Sequence, residues 1–106
     1  MSERIVVYVT APVDKARDLA AALVQAQLAA CVNIVPSVRS IYRWKGEVCE
    51  DEESLLVIKS RRSAFEALRA RVVELHPYEV PEVIALPIEA GHGAYLDWLD
   101  DNVSLK

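Results

Sequence analysis

The sequence has few cysteines, no long hydrophobic run and no excess of basic residues. It contains two cysteines, and 12 Lys and Arg against 16 Asp and Glu give a net charge of −4. A protein that mainly binds nucleic acid normally carries a basic surface, so this class is disfavoured. Apolar runs such as LAACV and LLVI are far shorter than the roughly 20 residues that a membrane-spanning helix needs. These features predict a protein that binds neither nucleic acid nor membrane.

Signals for secretion and for phosphate binding are also missing. The N-terminal MSERIVVYVTAP has too short an apolar segment for a signal peptide and no small-residue cleavage site, which predicts a cytoplasmic location. Two cysteines without such a signal are typical of reduced thiols. No glycine-rich phosphate loop is present, which disfavours a nucleotide ligand.

The length and composition indicate one domain over residues 1–106. The chain is 53% hydrophobic and 26% charged, as ordinary globular proteins are. A chain of this length can bury a single core but not two. No repeat, linker or low-complexity segment divides it.

The first half of the chain predicts a strand, a helix and a hairpin. Residues 4–10, RIVVYVT, form an apolar run rich in β-branched side chains, typical of a buried strand. Asp14 is the predicted N-cap of a helix over residues 15–29. Residues 31–44 and 47–60 are alternating segments joined by the dipeptide Lys-Gly, which predicts a β-hairpin.

The second half predicts a helix, a strand and a short final helix. SAFE (63–66) matches a capping box in which Ser63 pairs with Glu66. The helix that it opens has a predicted buried stripe of Phe65, Leu68, Val72 and Leu75, and Pro77 ends it. A strand over residues 80–89 and the helix AYLDWLDD follow. The predicted fold is α+β, a ferredoxin-like split βαβ (βαββαβ plus a short C-terminal helix), with helices on one face of an antiparallel sheet.

The predicted hairpin is too long for the domain that carries it. Arms of about 14 residues reach about 45 Å, whereas a domain of this size has a radius of gyration near 13 Å. The hairpin should protrude unless Pro36 bends it, and its outer part carries Ile41, Tyr42 and Trp44. Aromatic and apolar side chains on such a ribbon favour contact with another chain. We therefore expect an oligomer in which these three residues lie between subunits.

The hairpin register also predicts the state of the cysteines. With Lys45 and Gly46 at the turn, Cys49 lies opposite Tyr42 and Cys31 lies near Ser60. The two thiols are then roughly 30 Å apart or more along the ribbon, whereas a disulfide needs α-carbons within about 7 Å. No intrachain disulfide is expected.

The stretch ELHPYEVPEV (74–83) contains the residue types of a metal site or an acid–base pair. His76 and Glu79 are the candidate ligands. The structural alternative is that His76 is the last residue of the helix and caps its carbonyl groups. The acidic run EDEE (50–53) has oxygen ligands for a hard cation but lacks the glycine turn of a calcium loop, which favours a solvated strand edge.

Four blocks of the sequence resemble the CutA family of divalent-cation tolerance proteins. They are AACVNIVPSVRSIYRWKGEV, LLVIKS, HPYEVPEVIALPI and YLDWL, and the similarity extends from VTAP to YLDWL. The resemblance implies a ferredoxin-like fold related to the PII signalling proteins and a homotrimer formed by strand pairing between subunits. It also implies tolerance of copper and other divalent ions, with no enzymatic activity and no organic cofactor.

The family's metal ligands are carried over to this chain only in part. The resemblance implies copper ligands at a cysteine at the end of the first strand and at the histidine before PY. Here the first position is Val9, and Leu75 stands where relatives can have a second histidine. His76 remains, helped by Glu79, which predicts weak binding of Cu²⁺ or another divalent cation.

Two other functions stay open. One is a PII-like regulatory module that binds a small ligand in the cleft between subunits. The other is an enzyme that uses His76 with Glu79 or Glu82 as acid–base partners, although no nucleophile motif supports it.

Overall fold

The computed structural model describes residues 3–104, in which four strands and three α-helices follow one another. The elements are β1 (Arg4–Ala11), α1 (Ala16–Gln25), β2 (Cys31–Trp44), β3 (Glu47–Arg61), α2 (Phe65–Leu75), β4 (Ile84–Pro87) and α3 (Gly93–Asp101). A 3₁₀ turn, Arg62–Ala64, leads into α2. None of the helices in this range is long and apolar enough to cross a membrane.

The four strands form one antiparallel sheet in the order β2-β3-β1-β4. This is the strand order of the ferredoxin-like split βαβ, so the predicted fold class is confirmed. Side chains of β1 are alternately buried and half-buried because successive residues of a strand face opposite sides of a sheet. The buried side chains of β1 and β3 pack against those of α1 and α2 and form the main core: Ile5, Val7, Val9, Ala11, Leu56 and Ile58 from the strands, with Ala16, Leu19, Ala20, Leu23, Leu68 and Val72 from the helices.

Helix α1 is shorter than predicted, and its predicted cap is wrong. Lys15 rather than Asp14 occupies the N-cap position, and no side chain caps the helix there. The helix ends at Gln25 instead of continuing to residue 29. Gln27 has a φ of 59°, in the left-handed region, which is incompatible with a continuing α-helix.

The capping box predicted at SAFE is also wrong. The Ser63 hydroxyl donates a hydrogen bond to Oε1 of Glu3, 2.9 Å away, instead of to the start of α2. The N-cap position of α2 is Ala64, which has no capping side chain. The predicted stripe of this helix holds at Leu68 and Val72, which are buried, whereas Leu75 is 41% exposed.

The hairpin of β2 and β3 forms with the predicted turn. Lys45 and Gly46 have φ angles of 51° and 82°, both in the left-handed region, as a two-residue type I′ turn requires. Tyr42 pairs with Cys49, as predicted. A register shift between Val35 and Val38 then places Cys31 opposite Lys59, one residue from the predicted position. Both cysteines are free thiols, as expected.

The last strand is shorter than the predicted range of 80–89. Strand β4 contains residues 84–87 and pairs with β1. Pro81 has no backbone N–H and cannot donate to a sheet ladder, which disfavours a strand at the start of the predicted range. Residues 78–82 are left outside the sheet and are free to line the site described below.

Candidate ligand cleft

His76 lies immediately after α2, not within it. Its φ and ψ of −78° and 136° are extended, as expected for a residue before proline, so the prediction that it is the last helical residue is wrong by one position. Its backbone N–H still donates to the carbonyl of Val72 at 2.8 Å. The side chain is 7% exposed. His76 is therefore held at the junction between α2 and the segment that follows.

Both ring nitrogens of His76 are hydrogen-bonded. Nε2 lies 2.7 Å from the carbonyl oxygen of Thr10, and Nδ1 lies 3.1 Å from the backbone nitrogen of Tyr78. A carbonyl oxygen can only accept, so Nε2 carries the proton and Nδ1 accepts from the N–H of Tyr78. The ring therefore joins the end of β1 to residue 78 and caps no carbonyl of α2.

This geometry restricts metal binding at His76. A metal ion needs an imidazole nitrogen with a free lone pair, but here the lone pair of Nδ1 accepts a hydrogen bond and Nε2 bears the proton. Coordination would have to break one of the two bonds. Among residues 3–104 no group of three or more His, Cys, Asp or Glu side chains is placed to hold a metal ion. Metal ligation by His76 and Glu79 stays a prediction.

A cleft of about 670 Å³ lies between the outer part of the hairpin and the segment after His76. The hairpin contributes Ser40, Ile41, Tyr42, Trp44, Asp51 and Glu53. The segment after His76 contributes Tyr78, Glu79, Val80 and Glu82, and Thr10 lies at the end of β1. The cleft has a volume typical of small-molecule sites, which measure roughly 300–1,000 Å³.

Two tyrosine–carboxylate pairs join the parts of this cleft. The hydroxyl of Tyr78 donates to Oε2 of Glu53 at 2.8 Å, which connects the segment after α2 to strand β3. The hydroxyl of Tyr42 donates to Asp51 across the two arms of the hairpin. Glu53 is 5% exposed, so its hydrogen bond satisfies a carboxylate that is largely removed from water.

Hydrogen bonding to a carboxylate and burial both raise the pKa of the two tyrosines. The hydrogen bond to Asp51, followed by burial, raises the pKa of Tyr42 to about 12. Burial and then the hydrogen bond to Glu53 raise the pKa of Tyr78 still further above its ordinary value. Both hydroxyls are therefore hydrogen-bond donors at neutral pH and poor candidates for a general base or a nucleophile.

The structure brings together residues that the sequence suggested separately. Ile41, Tyr42 and Trp44, expected between subunits, and Glu79, expected to help a metal ion, line one cleft, whereas His76 lies behind it. Ile41 is 66% exposed, and the two aromatic residues are about two-fifths exposed. The structure is that of a single chain, so the role of Ile41, Tyr42 and Trp44 between subunits stays a prediction.

Sequence reasoning missed the contribution of the acidic run. Glu50, Asp51 and Glu52 are exposed, as a solvated strand edge would be, but Glu53 is buried against Tyr78. These partners are 25 residues apart, and no local pattern connects them. Glu53 also lies opposite Val38, where the hairpin register shifts.

The sheet order and the cleft define this protein as a small ferredoxin-like α+β protein with an acidic cleft. The family model described as CutA1 divalent ion tolerance protein matches residues 5–102. The chain belongs to the CutA family, as its sequence blocks suggested.

Relatives support this assignment over nearly the whole chain. The divalent-cation tolerance protein CutA of Thermus thermophilus is 57% identical over 98 residues, which cover 92% of this chain and 95% of the relative. The chloroplastic CutA protein of Arabidopsis thaliana is 54% identical over 92% of this chain, which spans only 54% of that longer relative.

Solved structures show the same fold. The CutA1 crystal structure from Oryza sativa has a TM-score of 0.95 and 47% identity, covering 99% of this chain and 97% of that one. A structure described as the PII-like protein CutA from Nostoc, in apo form, has a TM-score of 0.90 and 35% identity. It covers 96% of this chain and 99% of the other.

Proposed function

We propose that this protein acts as a homotrimer in the cellular response to divalent metal ions, copper among them, without catalysing a reaction. The match to the Thermus divalent-cation tolerance protein along 95% of that relative's length carries the proposal. The geometry of His76 disfavours the acid–base alternative, because both of its ring nitrogens are already hydrogen-bonded to the backbone, at Thr10 and Tyr78.

Metal binding in this proposal is weak and centres on His76, with Glu79 as a second ligand. Coordination by Nδ1 would displace the N–H of Tyr78 and leave that donor to find another partner. The lost hydrogen bond lowers the net affinity for the ion. A site with one imidazole and one carboxylate also has fewer nitrogen and sulfur ligands than stable copper sites generally need.

Copper titration by calorimetry tests this part, using the wild type, His76→Gln and His92→Gln. Glutamine keeps a donor that can reach the carbonyl of Thr10, and exposed His92 provides the matched control. We expect His76→Gln to lose copper binding while His92→Gln retains it, with the oligomeric state checked by light scattering. Unchanged binding in His76→Gln would place the ion elsewhere, and loss of the trimer would assign His76 a structural role.

A second candidate is a PII-like regulatory module that binds a small ligand in a cleft shared between subunits. The cleft of about 670 Å³ favours it, because several of its lining residues are also the ones expected to meet a neighbouring subunit. Native mass spectrometry of the purified protein without added metal distinguishes the two. A retained small molecule would support the module, and a metal ion alone would support metal response.

The proposed location is the cytoplasm. Relatives are described as chloroplastic in Arabidopsis thaliana and as periplasmic in Archaeoglobus fulgidus, so members of the family differ in this respect. Fractionation of the source cells, followed by immunodetection of the protein, tests the location directly. Recovery in a membrane or periplasmic fraction would contradict it.

A further inference from the structure

The cleft carries negative charge without a balancing positive side chain in its lining. Asp51 and Glu53 come from the hairpin, and Glu79 and Glu82 come from the segment after His76. No lysine, arginine or histidine is among the described residues that line it. Carboxylates in a concave site with low-dielectric walls attract cations more strongly than the same groups on a flat surface.

The four carboxylates do not have equal roles. Asp51 and Glu53 each accept a hydrogen bond from a tyrosine hydroxyl, which fixes their position within the wall. Glu79 and Glu82 are exposed, and no hydrogen bond or ion pair is found for them within residues 3–104. They are the carboxylates most available to a cationic ligand.

Aromatic rings provide the second feature of the site. Tyr42, Trp44 and Tyr78 line the cleft, and each of these residues is about two-fifths exposed. Lys45 is outside the lining, but its Nζ lies 5.8 Å from the centroid of the Trp44 ring, so a ligand cation on this ring competes with Lys45. Aromatic faces bind ammonium groups by cation–π attraction, and Trp is the strongest of the three types.

The chemistry of the cleft favours an organic cation over a metal ion. Among residues 3–104 no three acidic, cysteine or histidine side chains converge closely enough to coordinate a metal ion. Mg²⁺ and Ca²⁺ need several oxygen ligands at 2.0–2.6 Å, roughly, around one point. An amine with a hydrocarbon body spans a larger volume, places its N–H groups on separated carboxylates and lays its methylene groups on aromatic rings.

We propose that the cleft binds an organic ammonium cation, with Glu79 and Glu82 as its charge partners and Trp44 as its aromatic contact. This assignment rests on the second candidate function, the PII-like module that binds a small ligand, and it names the chemical class of that ligand. It does not depend on copper binding by His76, which lies outside the cleft lining.

Trp44 provides a direct probe of binding. The chain has two tryptophans, so Trp98→Phe leaves Trp44 as the sole tryptophan reporter. Trp98 lies on α3, outside the cleft, and is 45% exposed. Spermidine, a linear polyamine, is the test ligand, and 1,8-octanediol is a neutral control of similar length. Titration in low salt, followed by tryptophan fluorescence, measures the dissociation constant.

Two double variants in the Trp98→Phe background test the charge contacts. Glu79→Gln/Glu82→Gln removes the available carboxylates of the cleft. Asp14→Asn/Asp18→Asn removes the same net charge at exposed positions outside it. Both pairs are on the surface, so folding should be retained, and circular dichroism checks this.

We expect spermidine to change Trp44 fluorescence and octanediol to leave it unchanged. The cleft variant should bind spermidine about tenfold more weakly, a loss of about 1.4 kcal/mol, while the control variant stays within about twofold. Raising the salt concentration should weaken binding to the parent protein, because the attraction is between charges near the surface.

Three results would overturn the assignment. They are no fluorescence change with spermidine up to about 1 mM, equal weakening in the two double variants, and equal binding of octanediol. Each would leave the metal-response proposal standing if copper binding and the trimer are intact. If the protein binds spermidine in the cleft but is monomeric, the proposed trimer is contradicted, whereas the proposed class of ligand is supported.

Discussion

Glu53 is a carboxylate that the fold buries almost completely. It is 5% exposed and accepts the hydroxyl of Tyr78 at 2.8 Å. An ionised carboxylate inside a protein needs such a donor, since burial without one is costly. The bond also connects strand β3 to the segment after α2, so it fixes one wall of the cleft relative to the other.

Tyr78→Phe removes that donor and leaves the ring in place. We expect the free energy of unfolding to fall by about 1–3 kcal/mol, in the lower part of the range because water can enter the cleft. Chemical denaturation at fixed protein concentration measures it. Tyr8→Phe is the matched control, because Tyr8 is a half-buried tyrosine of β1 that does not line the cleft. If the two substitutions lowered the free energy of unfolding equally, the Tyr78–Glu53 hydrogen bond would not contribute to stability beyond the loss of any tyrosine hydroxyl.

Residue roles were predictable from the sequence only where local patterns determine them. The Lys45-Gly46 turn was correct because a two-residue hairpin turn needs positive φ at both positions, and glycine adopts it easily. Asp14 and Ser63 were misjudged as helix caps. Ser63 instead finds an acceptor in Glu3, 60 residues away in the chain, which no capping motif can reveal. The Tyr78–Glu53 pair was missed for the same reason.

At the scale of elements, an ion-pair cluster anchors α3 to the sheet. Nε and Nη2 of Arg4 donate to the two carboxylate oxygens of Asp100 at 3.0 and 2.7 Å, joining β1 to the last turn of the helix. Arg61 of β3 lies 3.7 Å from the same carboxylate. Beside these contacts, Leu99 of α3 packs with Ala30, Ala64 and Val103 in a second apolar cluster.

Asp100→Asn tests this anchor through its dependence on pH. The hydrogen bonds from Arg4 lower the pKa of Asp100 below its ordinary value of 3.8. The unfolded chain therefore binds the proton more readily than the folded protein. The contribution to stability is complete above the ordinary value and is lost as the pH falls through the lowered folded pKa. We expect Asp100→Asn to lower the melting temperature at pH 7 and to have little effect in strong acid.

Asp101→Asn is the control for that experiment, since Asp101 is the exposed neighbour at the end of α3. Its substitution should change the melting temperature little at either pH. An Asp100→Asn effect that is the same at neutral and acidic pH would show that shape or packing, not the charge of Asp100, is responsible.

Element order was predicted more reliably than element length. The sequence of elements, a strand, a helix, a hairpin, a second helix and a strand, matches the split βαβ plan, and that plan has the observed strand order. The predicted end of α1 lies four residues after the observed end, and the predicted start of β4 lies four residues before the observed start. At Gln27 a left-handed backbone stops the helix, and before Ile84 the chain leaves the sheet to line the cleft. These ends depend on tertiary contacts, which periodicity does not encode.

The whole molecule is elongated because the hairpin extends beyond the core. Its principal dimensions are 44, 24 and 22 Å. Strands β2 and β4 are the two edges of the sheet, and within residues 3–104 no further strand pairs with the outer side of either. The outer hairpin carries Ile41 and Val48, which are 66% and 67% exposed. A ribbon with such side chains is expected to pack on another subunit.

The final prediction is that Ile41→Asp dissociates the proposed trimer. Ile41 is already exposed in the single chain, so aspartate is tolerated there, but a charge placed between subunits would be unpaired. The lost apolar contact alone removes about 1.5–3 kcal/mol for each buried side chain.

Sedimentation equilibrium at micromolar concentration should give a mass about three times 11.8 kDa for the wild type and close to 11.8 kDa for the variant. Val13→Asp, at a residue 49% exposed outside the hairpin, should remain trimeric. A monomeric wild type would refute the proposed assembly, and a trimeric Ile41→Asp would show that the subunits meet elsewhere than at this part of the hairpin.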